Sequence, residues 1–115
     1  MKQIPFGEFF NGVRDKLTDS QLRLLDGNDI CFLADGAYVS LSVGESTIWL
    51  AWVVGNGLKW MHELRQAARK CGFKFVQFQT KIDNKSVNAM ARYWKAKATP
   101  KGEFIVYTIN LETRS

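Results

Sequence analysis

A short glycine turn is the feature of this chain that best suits chemistry. Gly55-Asn56-Gly57 follows an apolar segment and opens a segment with helical periodicity. A helix that begins directly after such a turn has backbone N–H groups without partners, and these groups bind phosphate or pyrophosphate. Glycines let such an anion approach the backbone closely. The same residues could instead only form a tight strand-to-helix connection, so the turn predicts an anion site and leaves a structural role open.

Few residues suit metal or nucleophilic chemistry. His62 is the only histidine, and Cys31 and Cys71 show no CxxC spacing. This composition argues against a zinc site and against a Ser-His-Asp triad. We expect both cysteines to be buried structural thiols and His62 to lie on the surface.

Positive charge is concentrated after the glycine turn. The net charge is +5. Residues 1–57 carry four basic and seven acidic side chains, whereas residues 58–101 carry eleven basic and two acidic side chains. Such a field favours an anionic partner, which could be a phosphorylated cofactor, a nucleic acid or an acidic protein. A solvated basic face that only aids solubility is the alternative.

The length and composition predict one domain over residues 1–115. With 46% apolar residues, the chain can form a hydrophobic core of its own. No apolar run is long enough for a membrane span, so no membrane association is expected. The first ten residues lack the apolar block of a signal peptide, and we expect a cytoplasmic location.

Two helices are predicted in residues 1–27, where they would form a helical lid on a sheet. Apolar residues recur at helical spacing over Phe6–Lys16. Thr18 and Gln21 have the spacing of a capping box, which predicts a second short helix that ends near Gly27.

Residues 28–54 are predicted to form a strand meander. The strands are expected at Ile30–Ala34, Ala37–Val43 and Thr47–Val54. Short glycine-containing turns between them favour antiparallel pairing. The third strand has no polar face, so we expect it to be central and covered on both sides.

Residues 55–115 are predicted to complete a βαβαβ half. The elements are a helix from Leu58 to Cys71, a strand Phe73–Thr80, a helix capped by Asp83 or Asn84, and a strand Glu103–Leu111 apolar at Phe104 and Val106. A strand–helix–strand unit of this length implies parallel pairing. The order ααβββαβαβ predicts an α+β fold with a mostly antiparallel sheet, one parallel strand pair and helices on both faces.

The order of elements over Thr47–Leu111 resembles the GNAT superfamily of N-acyltransferases. The matching features are the strand, the glycine turn, the helix with its glycine stop at Gly72, the second strand and the asparagine-containing turn at Asn84. Short, truncated GNAT-like proteins encoded by tailed phages are similar in size, which would place this protein in the host cytoplasm or in a virion. The usual first strand of the family is not predicted.

The resemblance implies acyl transfer from acetyl-CoA to a primary amine. It also implies that the two parallel strands diverge at Val53–Val54 to admit the cofactor. By this resemblance the pantetheine would be lined by Trp52, Val53 and Val54. The pyrophosphate would bind at Gly55, Asn56, Gly57 and Leu58, with added charge from Lys59. Asn84 and Asn88 would lie along the far end of the cofactor.

For catalysis, the resemblance suggests Tyr93 as the general acid that protonates the departing thiolate. Glu45 is the carboxylate nearest in sequence to the central strand and is the candidate base. The turn is shorter than the usual pyrophosphate loop of the family, which keeps a second hypothesis open. In that hypothesis the protein is a non-catalytic member of the fold that binds a protein or a nucleic acid through basic residues 59–101.

Overall fold

A computed structural model of the protein describes residues 2–34, 36–55 and 59–112. The elements are β1 (Lys2–Ile4), α1 (Phe6–Val13), α2 (Asp19–Leu22), β2 (Ile30–Ala34), β3 (Ala37–Val43), β4 (Thr47–Gly55), α3 (Lys59–Lys70), β5 (Phe75–Lys81), α4 (Lys85–Tyr93), β6 (Lys97–Lys101) and β7 (Phe104–Asn110). No helix within these ranges is long and apolar enough to cross a membrane.

The strands form one mixed sheet in the order β1-β2-β3-β4-β5-β7-β6. The pairs β1–β2, β2–β3, β5–β7 and β6–β7 are antiparallel, whereas β4 and β5 are parallel. The parallel step follows from α3, because a crossover helix returns the chain to the same end of the sheet. The predicted α+β class with one parallel strand pair is therefore confirmed.

The structure adds two strands that the sequence did not predict. Lys2–Ile4 pairs with β2, so the first strand thought to be absent is present. Lys97–Lys101 pairs with β7, although this segment contains Pro100 and two lysines. Both lie at the edges of the sheet. An edge strand tolerates lysine and proline because one of its sides makes no ladder hydrogen bonds, and such strands carry little hydrophobic pattern.

The chain divides into two units, each with its own packing. Unit 1 comprises residues 1–42 and 51–64. Its core cluster consists of Ile4, Phe9, Val13 and Cys31, with Phe6, Leu17, Leu22, Leu25, Tyr38, Trp52 and Val54 packed against it. The ring of Phe9 meets that of Tyr38 edge to face at 6.2 Å. The capping box of Thr18 and Gln21 is present as predicted, with both reciprocal hydrogen bonds formed.

Unit 2 comprises residues 43–50 and 65–115. Strands β5 and β7 pair along their whole length, from Phe75↔Asn110 to Lys81↔Phe104. Phe78 lies at the centre of the aromatic packing, 6.2 Å from Trp94 and 5.4 Å from Tyr107 between ring centroids. The buried face of β7 carries Tyr107 and Ile109. Phe104 and Val106, the apolar residues noted in the sequence, are half-buried on the opposite face of this strand.

The two cysteines have different environments. Cys31 is buried as predicted, but Cys71 is exposed. The prediction was wrong for Cys71 because α3 ends at Lys70 and Cys71 lies in the turn that follows. His62 is exposed, as expected.

Candidate functional site

The parallel pairing of β4 with β5 is short. It covers Thr47↔Phe75, Ile48↔Val76 and Trp49↔Gln77. Both strands continue beyond this register, β4 to Gly55 and β5 to Lys81. Among the described residues no ladder pair follows Trp49↔Gln77, so the pairing ends before the predicted point of divergence at Val53–Val54.

The second half of β4 is anchored through alternate side chains. Trp52 and Val54 pack against the core cluster of unit 1, whereas Val53 is 37% exposed. This exposure corrects the expectation that the strand is covered on both sides. Because neighbouring side chains of a strand point to opposite faces, the packing of Trp52 and Val54 fixes the backbone of Val53 between them.

Gly55 ends β4 with a backbone that only glycine adopts easily. Its φ is +137°, and a Cβ atom there would overlap the carbonyl oxygen of Gly36 and lie 2.7 Å from the Cα atom of Ala37. Packing against the protein's own backbone thus requires glycine at this position. This supports the structural role that the sequence left open for Gly55, and it leaves room for an anion role only through the backbone amides that follow.

The rest of the predicted pyrophosphate turn, Asn56, Gly57 and Leu58, lies outside the described residues. Helix α3 begins directly afterwards at Lys59. The beginning of a helix has a partial positive charge and amide donors that favour an anion. The predicted strand before these residues and the predicted helix after them are therefore present, while the turn itself stays a prediction.

Both asparagines predicted along the cofactor make hydrogen bonds within the protein. The side-chain oxygen of Asn84 accepts from the backbone N–H of Val87 at 3.2 Å and caps α4. The amide of Asn88 donates to the carbonyl of Ile82 at 2.9 Å, and its oxygen accepts from the hydroxyl of Tyr107 at 2.6 Å. These contacts fix the first turns of α4 on unit 2.

Tyr107 is a residue that the sequence analysis missed. It is 5% exposed and ties β7 to α4 through Asn88. A buried tyrosine usually needs a hydrogen-bond partner for its hydroxyl, so a tyrosine within an apolar strand was the available signal. From the sequence, only Phe104 and Val106 of this strand were considered.

The two predicted catalytic residues are both accessible. Tyr93 ends α4 and is 70% exposed. Glu45 is exposed in the turn between β3 and β4. It therefore lies at the beginning of β4, whereas the predicted cofactor residues lie at the end of that strand. The roles of both residues stay predictions.

Helix α3 brings two guanidinium groups close together. Burial, and then the positive charge of nearby Arg69, lowers the pKa of Arg65. The Nε atom of Arg69 donates to the carbonyl oxygen of Leu111 at 2.6 Å. Arg69 is thus held partly by backbone, which keeps its charge beside Arg65.

No group of three or more His, Cys, Asp or Glu side chains in the described residues could hold a metal ion. The Cys31 thiol donates a weak hydrogen bond to the carbonyl oxygen of Asp29 at 3.7 Å. Burial, and secondarily the charge of Asp29, raises the pKa of this thiol. A raised pKa lowers the thiolate fraction, so Cys31 is suited to packing rather than to nucleophilic attack.

Comparison with known proteins identifies the fold. No protein-family model and no curated protein matches the sequence. The structure is similar to the ribosomal-protein-S18-alanine N-acetyltransferase from Escherichia coli, with a TM-score of 0.74 at 8% identity over 99% of this chain and 94% of that chain. It is also similar to a GNAT-family protein from Desulfovibrio desulfuricans, with a TM-score of 0.64 at 13% identity over 96% of this chain and 97% of that chain.

A third similar structure is yncA from Salmonella typhimurium, solved with its cofactor acetyl-CoA. The TM-score is 0.60 at 12% identity, and the match covers 96% of this chain and 88% of that chain. Together these likenesses show that the chain has the GNAT fold, as the sequence predicted. The similarity to phage-encoded proteins stays a prediction.

Proposed function

We propose that this protein is an N-acyltransferase that uses acetyl-CoA and transfers its acyl group to a primary amine. The observation that carries the proposal is the early end of the β4–β5 ladder at Trp49↔Gln77 while β4 continues to Gly55. An extended strand edge with available N–H and C=O groups can bind an extended ligand by adding backbone-like hydrogen bonds. The pantetheine arm of acetyl-CoA contains two amide groups and is such a ligand.

The residues of β4 fit this role through their backbone. Trp52 and Val54 are held in the core of unit 1, so the strand edge is preorganised. The exposed Val53 side chain offers apolar contact to the arm. The pyrophosphate would bind at the amides of Asn56, Gly57 and Leu58 and at the beginning of α3, where Lys59 adds positive charge. Asn84 and Asn88 would contribute at the far end chiefly by positioning α4.

When bound, acetyl-CoA would supply the acyl thioester. The amine nitrogen would attack the thioester carbonyl, and the carbon–sulfur bond would break. Tyr93, exposed at the end of α4, would give its phenolic proton to the leaving sulfur. Glu45 or a water molecule would take the proton of the amine. Glu45 is the less favourable of the two, since it precedes β4 at the end away from Gly55.

Calorimetric titration with acetyl-CoA tests the cofactor site. We expect micromolar binding that Gly57→Trp abolishes, because an indole ring would fill the space of the pyrophosphate. Gly7→Trp is the matched control, since Gly7 is exposed and a Cβ atom there meets nothing within 4 Å, and this variant should bind like the unchanged protein. Absence of binding up to about 1 mM ligand would refute the proposal and favour the non-catalytic hypothesis, in which the GNAT fold serves as a binding scaffold.

A turnover assay distinguishes catalysis from binding of acetyl-CoA. Release of the CoA thiol can be followed with a panel of primary amines and amino-terminal peptides. Tyr93→Phe should lower kcat by about 100-fold, in the range of general-acid effects, and should leave the affinity for acetyl-CoA unchanged. If this variant turns over as fast as the unchanged protein, Tyr93 is not the general acid. That result would leave the proposed cofactor site unaffected.

A further inference from the structure

Three strands of unit 2 form a small sheet with two unlike faces. Strands β5, β7 and β6 are paired in register, so that Gln79 pairs with Val106 and Val106 pairs with Thr99. Side chains alternate between faces along each strand. One face contains the buried residues Val76, Phe78, Tyr107 and Ile109, and it packs against Trp94.

The opposite face consists of the odd-numbered residues of β5 and β6 and the even-numbered residues of β7. We name it the open face. Each of its side chains is half-buried or exposed, and none is buried. A sheet face built only to support a core would carry buried apolar residues, whereas in the described part of the chain this face is at least partly exposed at every position.

The open face carries positive charge around an aromatic ring. Phe104, which is half-buried, pairs with Lys81 on one side and with Lys101 on the other. Adjacent strands lie about 4.8 Å apart, so two lysines flank the ring in the same row. A third lysine, Lys97, lies on the same face four residues before Lys101 on β6.

The remaining positions of the open face are apolar or are hydrogen-bonding groups without charge. The next row contains Gln79, Val106 and Thr99. In the third row the Gln77 amide donates to the hydroxyl of Thr108 at 3.1 Å. None of the odd positions of β5 and β6 or even positions of β7 is acidic. The carboxylates of Asp83 and Glu103 belong to turns outside the three strands.

We propose that the open face binds single-stranded nucleic acid. Proteins recognise unpaired bases by stacking them on aromatic side chains of a sheet and by placing cations along the phosphate backbone. Phe104 provides the stacking surface, and Lys81, Lys97 and Lys101 provide the phosphate contacts. An acidic peptide would use the lysines but would gain nothing specific from the ring between them. This activity is independent of acyl transfer and needs no acetyl-CoA.

The test measures binding of a fluorescein-labelled mixed-sequence RNA of about 20 nucleotides by anisotropy at about 50 mM salt. The first variant replaces three lysines of the open face: Lys81→Gln, Lys97→Gln and Lys101→Gln. The matched control makes the same charge change at exposed lysines elsewhere: Lys16→Gln, Lys70→Gln and Lys85→Gln. A third variant, Phe104→Leu, removes the ring and keeps an apolar side chain.

We expect the first variant to weaken binding about tenfold or more and to flatten the salt dependence by about two units of slope, since each single-strand phosphate contact contributes about 0.7. Phe104→Leu should weaken binding about tenfold by loss of stacking. The control should bind nearly as well as the unchanged protein. The proposal is overturned if RNA does not bind, if the control loses as much affinity as the first variant, if Phe104→Leu has no effect, or if polyglutamate displaces RNA as well as an unlabelled oligonucleotide does.

Discussion

Units 1 and 2 differ in charge. Unit 1 contains five basic and seven acidic side chains, whereas unit 2 contains eleven basic and four acidic ones. Both units contain a polar contact beside their apolar packing: in unit 1 the hydroxyl of buried Ser40 donates to the Asp29 carboxylate at 3.0 Å, and in unit 2 the hydroxyl of Tyr107 donates to Asn88. The clearest difference between the units is therefore the strong positive charge of unit 2.

The glycines of the two units also differ in the space around them. In unit 1, a Cβ atom on Gly12 would overlap the ring of Tyr38, and one on Gly55 would overlap the carbonyl oxygen of Gly36. In unit 2, Gly102 has a positive φ of +63°, but a Cβ atom there would meet nothing within 4 Å. At these two glycines of unit 1, lack of space excludes a side chain. At Gly102 in unit 2, only the backbone conformation disfavours one.

The largest predicted effect is that of Gly55→Ala. This change adds backbone strain at φ +137° and an overlap with neighbouring backbone, and the two together should lower the free energy of unfolding by roughly 3 kcal/mol or more. Gly102→Ala is the matched control and should cost about 1 kcal/mol, since the left-handed conformation alone is unfavourable for alanine. Urea denaturation measures both. An equal loss of unfolding free energy in the two variants would contradict the conclusion that lack of space excludes a side chain at Gly55.

A smaller effect is expected for Tyr107→Phe in unit 2. The phenylalanine ring keeps the contact with Phe78 but leaves the oxygen of Asn88 without its donor, which should cost about 1–2 kcal/mol. Tyr93→Phe is the control, because an exposed hydroxyl should contribute less than about 0.5 kcal/mol. If both variants unfold at the same urea concentration as the unchanged protein, the polar contact does not stabilise unit 2.

The smallest expected effect concerns the two cysteines. Cys71 is exposed in unit 2 and should react quickly with a disulfide reagent, while buried Cys31 in unit 1 should react only after unfolding. Because burial raises the pKa of Cys31, the folded state keeps the proton at a pH where the unfolded chain loses it. The contribution of Cys31 to stability is thus complete below the ordinary thiol pKa of about 8.5.

Above that pH, the contribution should decline as the pH approaches the raised pKa of the folded state. Cys31→Ser should reduce this decline in urea denaturation between about pH 8 and pH 10, whereas Cys71→Ser should leave it unchanged. Rapid labelling of both thiols in the folded protein would show that Cys31 is accessible and would remove this difference between the units.

The sequence predicted the central part of the fold well. Strands β2 and β3 have the predicted bounds, because alternating apolar runs between glycine turns are strong signals. The strand that ends at Gly55 and the helix that begins at Lys59 follow from the change of period at the glycines. The edge strands β1 and β6 were missed because an edge strand needs few buried side chains and can contain lysine and proline.

The details of the candidate site were harder to predict. The reason for glycine at position 55 is a contact with Gly36, which is distant in sequence. The Asn88–Tyr107 hydrogen bond joins a helix to a strand, and its residues carry no shared motif. Neither contact produces a local sequence pattern, so each becomes visible only in the three-dimensional structure.

Residue-resolved hydrogen exchange of the β4 amides tests the central claim most directly. The account holds that the edge of Ala51–Gly55 receives acetyl-CoA by backbone hydrogen bonds. Amides on that edge should exchange quickly in the free protein and slow by about tenfold or more when acetyl-CoA is present at ten times its Kd, while the amides of β7 should not change. Amides of Ala51–Gly55 that are already protected in the free protein, or whose exchange acetyl-CoA leaves unaltered, would contradict it.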